Sequence, residues 1–104
     1  MKALPTGVIA YKRTPDFTQH TIPAGLLRAH TTKEGVWGRI VVASGTLRYR
    51  IQGDPPEECV LVPGQDGIVE PQVPHDVTPI GDVQFHVEFL KAGDRVAAGG
   101  TGQG

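Results

Sequence analysis

The sequence predicts an all-β fold, and three features of the chain support this prediction. No window of a dozen residues places apolar side chains at helical spacing without a glycine or proline inside it. Short runs rich in β-branched and aromatic residues recur along the chain. The 14 glycines and 9 prolines separate these runs as turn residues. We therefore expect a β-sandwich or barrel with one core, for which 104 residues suffice.

The first half of the chain contains runs that predict four strands. They cover residues 7–13, 25–30 and 37–51. The last of these runs predicts two strands, as arms around a turn at 43–46. In the second of these arms, Leu47, Tyr49 and Ile51 alternate with polar residues. This period of two predicts a strand with one buried face and one face exposed to water.

The second half contains four further runs, and the last two predict a hairpin. The runs cover residues 59–62, 68–71, 75–79 and 81–90. A loop of two or four residues would place His75 opposite His86, whereas a loop of three or five would pair His75 with Val87. Because Phe85 and Val87 lie on an apolar face that excludes His86, we favour the second register.

Composition and charge exclude several classes of protein. The net charge of −1 and the pI near 6.4 leave no basic surface for nucleic acid. No apolar run approaches the roughly 20 residues of a membrane span, and residues 1–13 lack the continuous apolar core and cleavage site of a signal peptide. We therefore expect no signal peptide and a cytoplasmic protein. The single cysteine, Cys59, excludes an intrachain disulfide and is predicted to be a buried small hydrophobe. We expect one domain over 1–91 and a flexible glycine-rich tail over 92–104.

The titratable residues offer few recognisable patterns. The four histidines lie in or beside predicted strands: His20, His30, His75 and His86. Imidazole is the commonest metal ligand near neutral pH, but no helical or cysteine spacing strengthens that interpretation. Glu34 and Glu70 each lie near one of these histidines and would supply an oxygen ligand or a general base, although such residues are more often simple loop carboxylates. The chain has no nucleophile elbow, phosphate-binding loop or dinucleotide fingerprint.

Several segments together resemble the TehB/YeaR-like domain family, which is cupin-like and is named after tellurite resistance. The resemblance covers about residues 7–90. The segments that carry it are "PAGLLRAHTTK", "GVWG", "GTLRY" and "EPQVPH". Each segment alone is a weak signal, and their combination is specific.

The resemblance implies a double-stranded β-helix, that is, a small conical barrel of two antiparallel sheets. It also implies a divalent metal ion (zinc, iron or nickel) bound inside the barrel by His30 and His75. The family's first motif normally supplies more than one metal ligand, whereas here it supplies only His30. A third ligand would therefore come from elsewhere in the chain. Its candidates are Glu34, Glu70, His86 and His20. The residues expected to line the pocket are Trp37, Tyr49 and Phe85.

The function implied by the resemblance is that of a metal-binding stress protein. It would respond to a toxic oxyanion such as tellurite, or to nitrosative or oxidative stress, through dioxygenase-like or oxyanion-handling activity. Family members also occur fused to a methyltransferase domain, and this chain is not expected to be a methyltransferase by itself. Two alternatives remain open: a metal-free module that binds or senses a small ligand, and a dimeric interaction domain without catalysis. The expected partners are a small molecule or oxyanion and a second copy of the chain in a homodimer.

Overall fold

The computed structural model of the protein describes residues 1–28 and 30–93, and in this part of the chain the fold is almost entirely β. Six strands pair as one antiparallel sheet, and a 3-10 helix covers Ala24–Leu27. The strands are β1 (Val8–Arg13), β2 (Phe17–Thr18), β3 (Trp37–Ile51), β4 (Glu57–Leu61), β5 (Gly67–Val69) and β6 (His75–Ala92). The predicted all-β class is confirmed. The helix has four residues, far too few to cross a membrane.

Two long strands, β3 and β6, form the centre of the sheet. They pair antiparallel from Trp37 opposite Leu90 to Ile51 opposite His75, which spans all of β3 and all but the last two residues of β6. The remaining strands add to these two: β1 and β2 pair with β6, while β4 and β5 pair with β3. The sheet runs β1-β6-β3-β4 and does not close on itself, so the closed conical barrel expected from the resemblance was wrong for these residues.

The chain bends where turns were predicted inside β3 and β6. On β3, Ala43 has no cross-strand partner, and on β6 neither Gly81 nor Asp82 has one. Such β-bulges bend a strand and increase its twist without reversing its direction. Gly45 lies at the bend with a φ of +82°, and a Cβ atom there would be 2.0 Å from the backbone oxygen of Asp82. The predicted turn at 43–46 was therefore wrong, because the glycine permits a close-packed bulge rather than a chain reversal.

The predicted hairpin between 75–79 and 81–90 was also wrong. Both runs belong to β6, so His75 faces neither His86 nor Val87. Instead, His75 lies opposite Ile51 and His86 lies opposite Val41. The assignment of faces was nevertheless correct, since Phe85 is 0% exposed and Val87 is 7% exposed, while His86 stays outside the core.

The core lies on one face of the bent sheet. Along β3 the buried positions change from even to odd numbers at the bulge: Ile40 and Val42 precede it, and Leu47 and Tyr49 follow it. The unpaired residue at the bulge shifts the alternation of buried and exposed side chains by one position. The face of the second arm that was predicted to be buried is therefore the face that packs in the core. Cys59 was predicted to be buried and is only partly buried, and it packs against this core as a small hydrophobe.

Two further predictions concern local structure and domain bounds. The strand predicted at 25–30 was wrong, because Pro23 precedes a helical turn in which the Leu26 N–H donates to the Pro23 carbonyl at 2.9 Å. The predicted tail at 92–104 begins within β6, which ends at Ala92, and from residue 94 onward it lies outside the described residues. The division into 1–91 and 92–104 stays a prediction.

Candidate functional site: an apolar cavity with a histidine pair

A cavity of about 230 Å³ opens against the buried face of the sheet. Its walls come from β3, β5, β6 and the 3-10 helix, and they are mostly apolar: Leu26, Ile40, Val77 and Phe85 are examples. Pockets that hold drug-sized ligands usually measure about 300–1,000 Å³. The cavity therefore suits a molecule smaller than that class.

His30 and His75 lie together on the cavity wall. The His30 N–H donates to the His75 carbonyl at 2.9 Å, and the His75 N–H donates to the His30 carbonyl at 2.9 Å. Residues that face each other in this way project their side chains to the same side. The two imidazole rings consequently meet edge to face, with centroids 5.5 Å apart and an interplanar angle of 79°.

His75 is held in one tautomer and one orientation. Its side chain lies among buried groups, with 4% of the residue exposed, and its ring meets the Tyr49 ring edge to face at 5.8 Å. Its Nδ1 atom is 3.2 Å from the Val73 carbonyl oxygen. Because a carbonyl only accepts hydrogen bonds, Nδ1 carries the proton and Nε2 carries a lone pair.

Burial lowers the pKa of His75 below its usual value, and the neighbouring His30 acts in the same direction. The hydrogen bond to Val73 and the charge of Asp76 oppose this shift without overcoming it. The ring is therefore neutral at neutral pH, and Nε2 remains able to accept a hydrogen bond.

The other polar side chains on the wall are already engaged. The Thr32 hydroxyl donates to the Val36 carbonyl at 2.7 Å. The Thr14 hydroxyl donates to the Pro15 carbonyl at 2.9 Å and accepts the Val87 N–H at 3.0 Å. Within the described residues, the His30 ring makes no hydrogen bond of its own. The two imidazoles are thus the groups on this wall that a ligand would find available.

The predicted metal site does not form. Among residues 1–28 and 30–93, no three histidine, cysteine, aspartate or glutamate side chains come together as a group that would hold an ion. His30 and His75 do meet, but none of the candidates for a third ligand joins them. Those candidates were Glu34, Glu70, His86 and His20.

The surroundings of two of the candidate third ligands show why they do not join the histidine pair. Glu70 lies 3.3 Å from the Lys2 ammonium group, so its charge is directed to the surface. The His86 ring lies 3.2 Å from a Glu88 oxygen on the outer face of β6. A structural or catalytic zinc site needs at least three protein ligands, and the described residues bring only two together. The predicted cofactor, a divalent metal ion, is therefore wrong.

The structure places the three predicted pocket residues differently. Phe85 lines the cavity. Tyr49 lies behind the wall, where it contacts the His75 ring and its hydroxyl donates to the Ile68 carbonyl at 2.8 Å. Trp37 is partly exposed at the start of β3 and is not among the lining residues. Sequence reasoning missed Leu26 in the helical turn, since the run 25–30 was interpreted as a strand.

Comparison with known proteins places these features in a family. The model of the TehB-like domain matches residues 12–87. A relative from Haemophilus influenzae, "Probable S-adenosyl-L-methionine-dependent methyltransferase TehB", is 33% identical over 79 residues, which cover 72% of this chain and 28% of the relative. "Uncharacterized protein YeaR" from Escherichia coli K12 is 28% identical over 101 residues, which cover 88% of this chain and 85% of the relative.

A crystal structure of a protein from Escherichia coli K12 shares the fold. It has a TM-score of 0.79 and 25% identity, and the match covers 89% of this chain and 99% of that chain. This chain spans 28% of the length of the TehB relative, so the two proteins correspond over one region only.

The relatives correct the predicted activity. The TehB relative, a longer protein, is named as a probable methyltransferase dependent on S-adenosylmethionine, which contradicts the predicted metal-dependent stress activity and the expectation that this chain is not a methyltransferase by itself. The cofactor in that name is S-adenosylmethionine rather than a metal. The resemblance itself is confirmed, because the domain model covers residues 12–87: the chain belongs to the TehB-like domain family.

Proposed function

We propose that this chain binds a small, mainly apolar molecule in the cavity and that this molecule is the acceptor substrate of an S-adenosylmethionine-dependent methyl transfer. The observation that carries the proposal is the histidine pair in an otherwise apolar wall. Ligand sites typically combine such a wall with a few precisely placed polar groups that fix the orientation of the ligand.

The chemistry of the wall defines the ligand. The apolar surfaces of Leu26 and Phe85 favour an aromatic or branched aliphatic body. The lone pair on His75 Nε2 favours an O–H, N–H or S–H group on that body, and such a group is also what a methyl acceptor presents. The proposed ligand is therefore a small molecule with one heteroatom donor.

The size of the cavity supports an acceptor rather than the methyl donor. S-adenosylmethionine carries a nucleoside and an amino acid, and a cavity of about 230 Å³ is smaller than the usual volume for ligands of that size. The described residues do not fit that cofactor in this cavity. The name of the TehB relative supports the link to methyl transfer, and it applies to a longer protein.

We also propose that the fold is a cupin-like double-stranded β-helix without closure. The support comes from β3 and β6, which pair over the full length of β3 and have their bulges at the same place. Bending two paired strands in this way gives a sheet that wraps around one core, as the wall of such a fold does.

Binding is tested with benzamide, a probe of the proposed shape whose amide N–H₂ reaches the histidines. Titration followed by nuclear magnetic resonance gives the Kd for the wild type, Leu26→Trp and Leu27→Trp. Leu26 lines the cavity, while the neighbouring Leu27 is 45% exposed and does not. We expect binding to weaken at least tenfold in Leu26→Trp and to remain unchanged in Leu27→Trp. Equal effects of the two substitutions would contradict the proposal.

The link to methyl transfer needs its own measurement. Because the cavity does not fit S-adenosylmethionine, the methyl donor in this test is bound by a separate methyltransferase, the longer TehB relative. That relative is incubated with methyl-labelled S-adenosylmethionine and benzenethiol, with and without this chain, and the labelled methyl thioether formed together with S-adenosylhomocysteine is quantified. We expect more product with the chain than without it, and a smaller increase with Leu26→Trp. Binding of benzamide without any increase in labelled product would retain the binding site and overturn the role in methyl transfer.

A further inference from the structure

A second hollow adjoins the apolar cavity and shares part of its wall. It measures about 270 Å³, and His30, Thr32 and Phe89 line both spaces. Its other walls include Lys12 and Lys33. His30 thus lies at the junction between an apolar interior and a basic entrance.

The positive charge at this entrance is not neutralised within the described residues. Neither Lys12 nor Lys33 makes an ion pair there, although Glu34 follows Lys33 in the sequence. Four other basic side chains do have carboxylate partners: Lys2, Arg13, Arg39 and Arg50.

A third lysine lies beside this entrance, in the wall of a neighbouring hollow. Lys91 has no carboxylate partner in the described chain, and its Nζ atom lies 4.5 Å from the centre of the Tyr11 ring, which also lines the entrance. The chain as a whole has a net charge of −1, so this concentration of positive charge is a local feature.

We propose that the entrance binds an anionic group and that the ligand of the cavity is a small organic anion. The apolar body enters the cavity between Leu26 and Phe85, and a carboxylate or similar group remains between Lys12 and Lys33. The inference rests on the proposed function, because it names the substrate class of the same site. It goes further in assigning a recognition role to residues outside the cavity.

The expected size of the effect follows from the exposure of the two lysines. Ion pairs at exposed sites are individually weak, and dissolved salt screens them over about 10 Å at 0.1 M. Two such contacts together give a preference of about tenfold for the anion at low ionic strength. This preference should decline as salt is added, while the apolar contribution should not.

The probes 4-hydroxybenzoate and 4-hydroxybenzamide test the inference, since both carry the same hydroxyl donor for His75, have nearly the same shape and differ in the charge of the other polar group. Their Kd values are measured at 10 mM and 500 mM salt for the wild type, Lys12→Gln/Lys33→Gln and Lys12→Arg/Lys33→Arg. Arg48→Gln is the control, because Arg48 is exposed on the outer face of β3 and has no ion-pair partner in the described chain. We expect 4-hydroxybenzoate to bind about tenfold more tightly than 4-hydroxybenzamide in the wild type, the arginine variant and the control at low salt.

In the glutamine variant we expect the preference for 4-hydroxybenzoate to disappear while the Kd of 4-hydroxybenzamide is unchanged. Equal affinities of the wild type for the two probes would overturn the anionic ligand and leave the proposed function intact. A preference that survives in the glutamine variant would overturn the role of the lysines. Failure of both probes to bind would overturn the proposed function together with the inference.

Discussion

At the scale of single residues, His75 carries most of the chemical character of the site. Its ring is buried, its Nδ1 proton is directed to Val73, and its neighbours are the rings of His30 and Tyr49. These contacts fix both the tautomer and the orientation of the ring. An exposed histidine such as His20 has no comparable restraint, since that residue lies on the surface.

Replacing His75 tests the acceptor on the cavity wall. The substitution His75→Phe retains a ring of similar size and removes the Nε2 lone pair. We expect the Kd for benzamide to rise about five- to tenfold, as the loss of one hydrogen bond predicts. The same titration of His20→Phe is the control, and an equal Kd in both variants would argue against a hydrogen bond to His75.

Cys59 gives a prediction for pH dependence. Burial, and then the charge of the nearby Glu57, raises the pKa of its thiol above the usual value. A raised pKa means that the reactive thiolate forms only at higher pH. We expect the rate of labelling by a disulfide reagent to reach half its maximum at a higher pH than the rate for a free cysteine peptide, which titrates near about 8.5. A midpoint at or below that of the peptide would contradict this account.

At the scale of structural elements, the bend shared by β3 and β6 determines the shape of the sheet. The bulge at Ala43 shifts the alternation of β3 by one residue, while the two unpaired residues of β6 preserve its alternation. Both strands therefore present apolar side chains to the same core on either side of the bend. The helical turn Ala24–Leu27 then covers part of the cavity.

Gly45 allows this bend to be tested. A Cβ atom there would lie 2.0 Å from the Asp82 backbone oxygen, and the φ of +82° disfavours other residues. Gly64 also has a positive φ, of +90°, but its Cβ would meet nothing within 4 Å. We expect Gly64→Ala to cost about 1 kcal/mol of unfolding free energy and Gly45→Ala at least about 2 kcal/mol more. Urea denaturation measures the free energy of unfolding of both variants. Equal losses would show that the backbone shifts to relieve the contact with Asp82.

At the scale of the whole molecule, one core supports both the stability of the fold and the cavity. Phe85 is 0% exposed and belongs to the core cluster, and it also lines the cavity. Its ring meets Phe17 of β2 edge to face, with centroids 5.6 Å apart. Binding and folding therefore depend on some of the same side chains.

This dependence predicts the result of truncating the two aromatic residues. We expect Phe85→Ala to reduce the free energy of unfolding by about 3–5 kcal/mol, as is typical of a fully buried phenylalanine. Phe17→Ala should cost less, because Phe17 is only partly buried and lies on a two-residue strand. Thermal and urea unfolding measure both values, and a larger loss for Phe17 would place the stabilising contacts in β2 instead.

The sequence by itself determined the β class and the buried faces, because alternation with a period of two depends only on local order. Leu47 and Tyr49 in β3, and Phe85 and Val87 in β6, could be assigned to the core in this way. The resemblance singled out His30 and His75, and the structure brings these two residues together.

Only the tertiary structure decided that β3 and β6 continue through their glycines. The local sequence around Gly45 and Gly81 is compatible with a turn or with a bulge, and the choice depends on pairing between residues distant in the chain. The same long-range pairing gives His30 and His75 their shared cavity wall and leaves the other two histidines outside it. Because spacing along the chain does not encode such distances, the resemblance implied a metal site for which residues 1–28 and 30–93 bring no third ligand to the histidine pair.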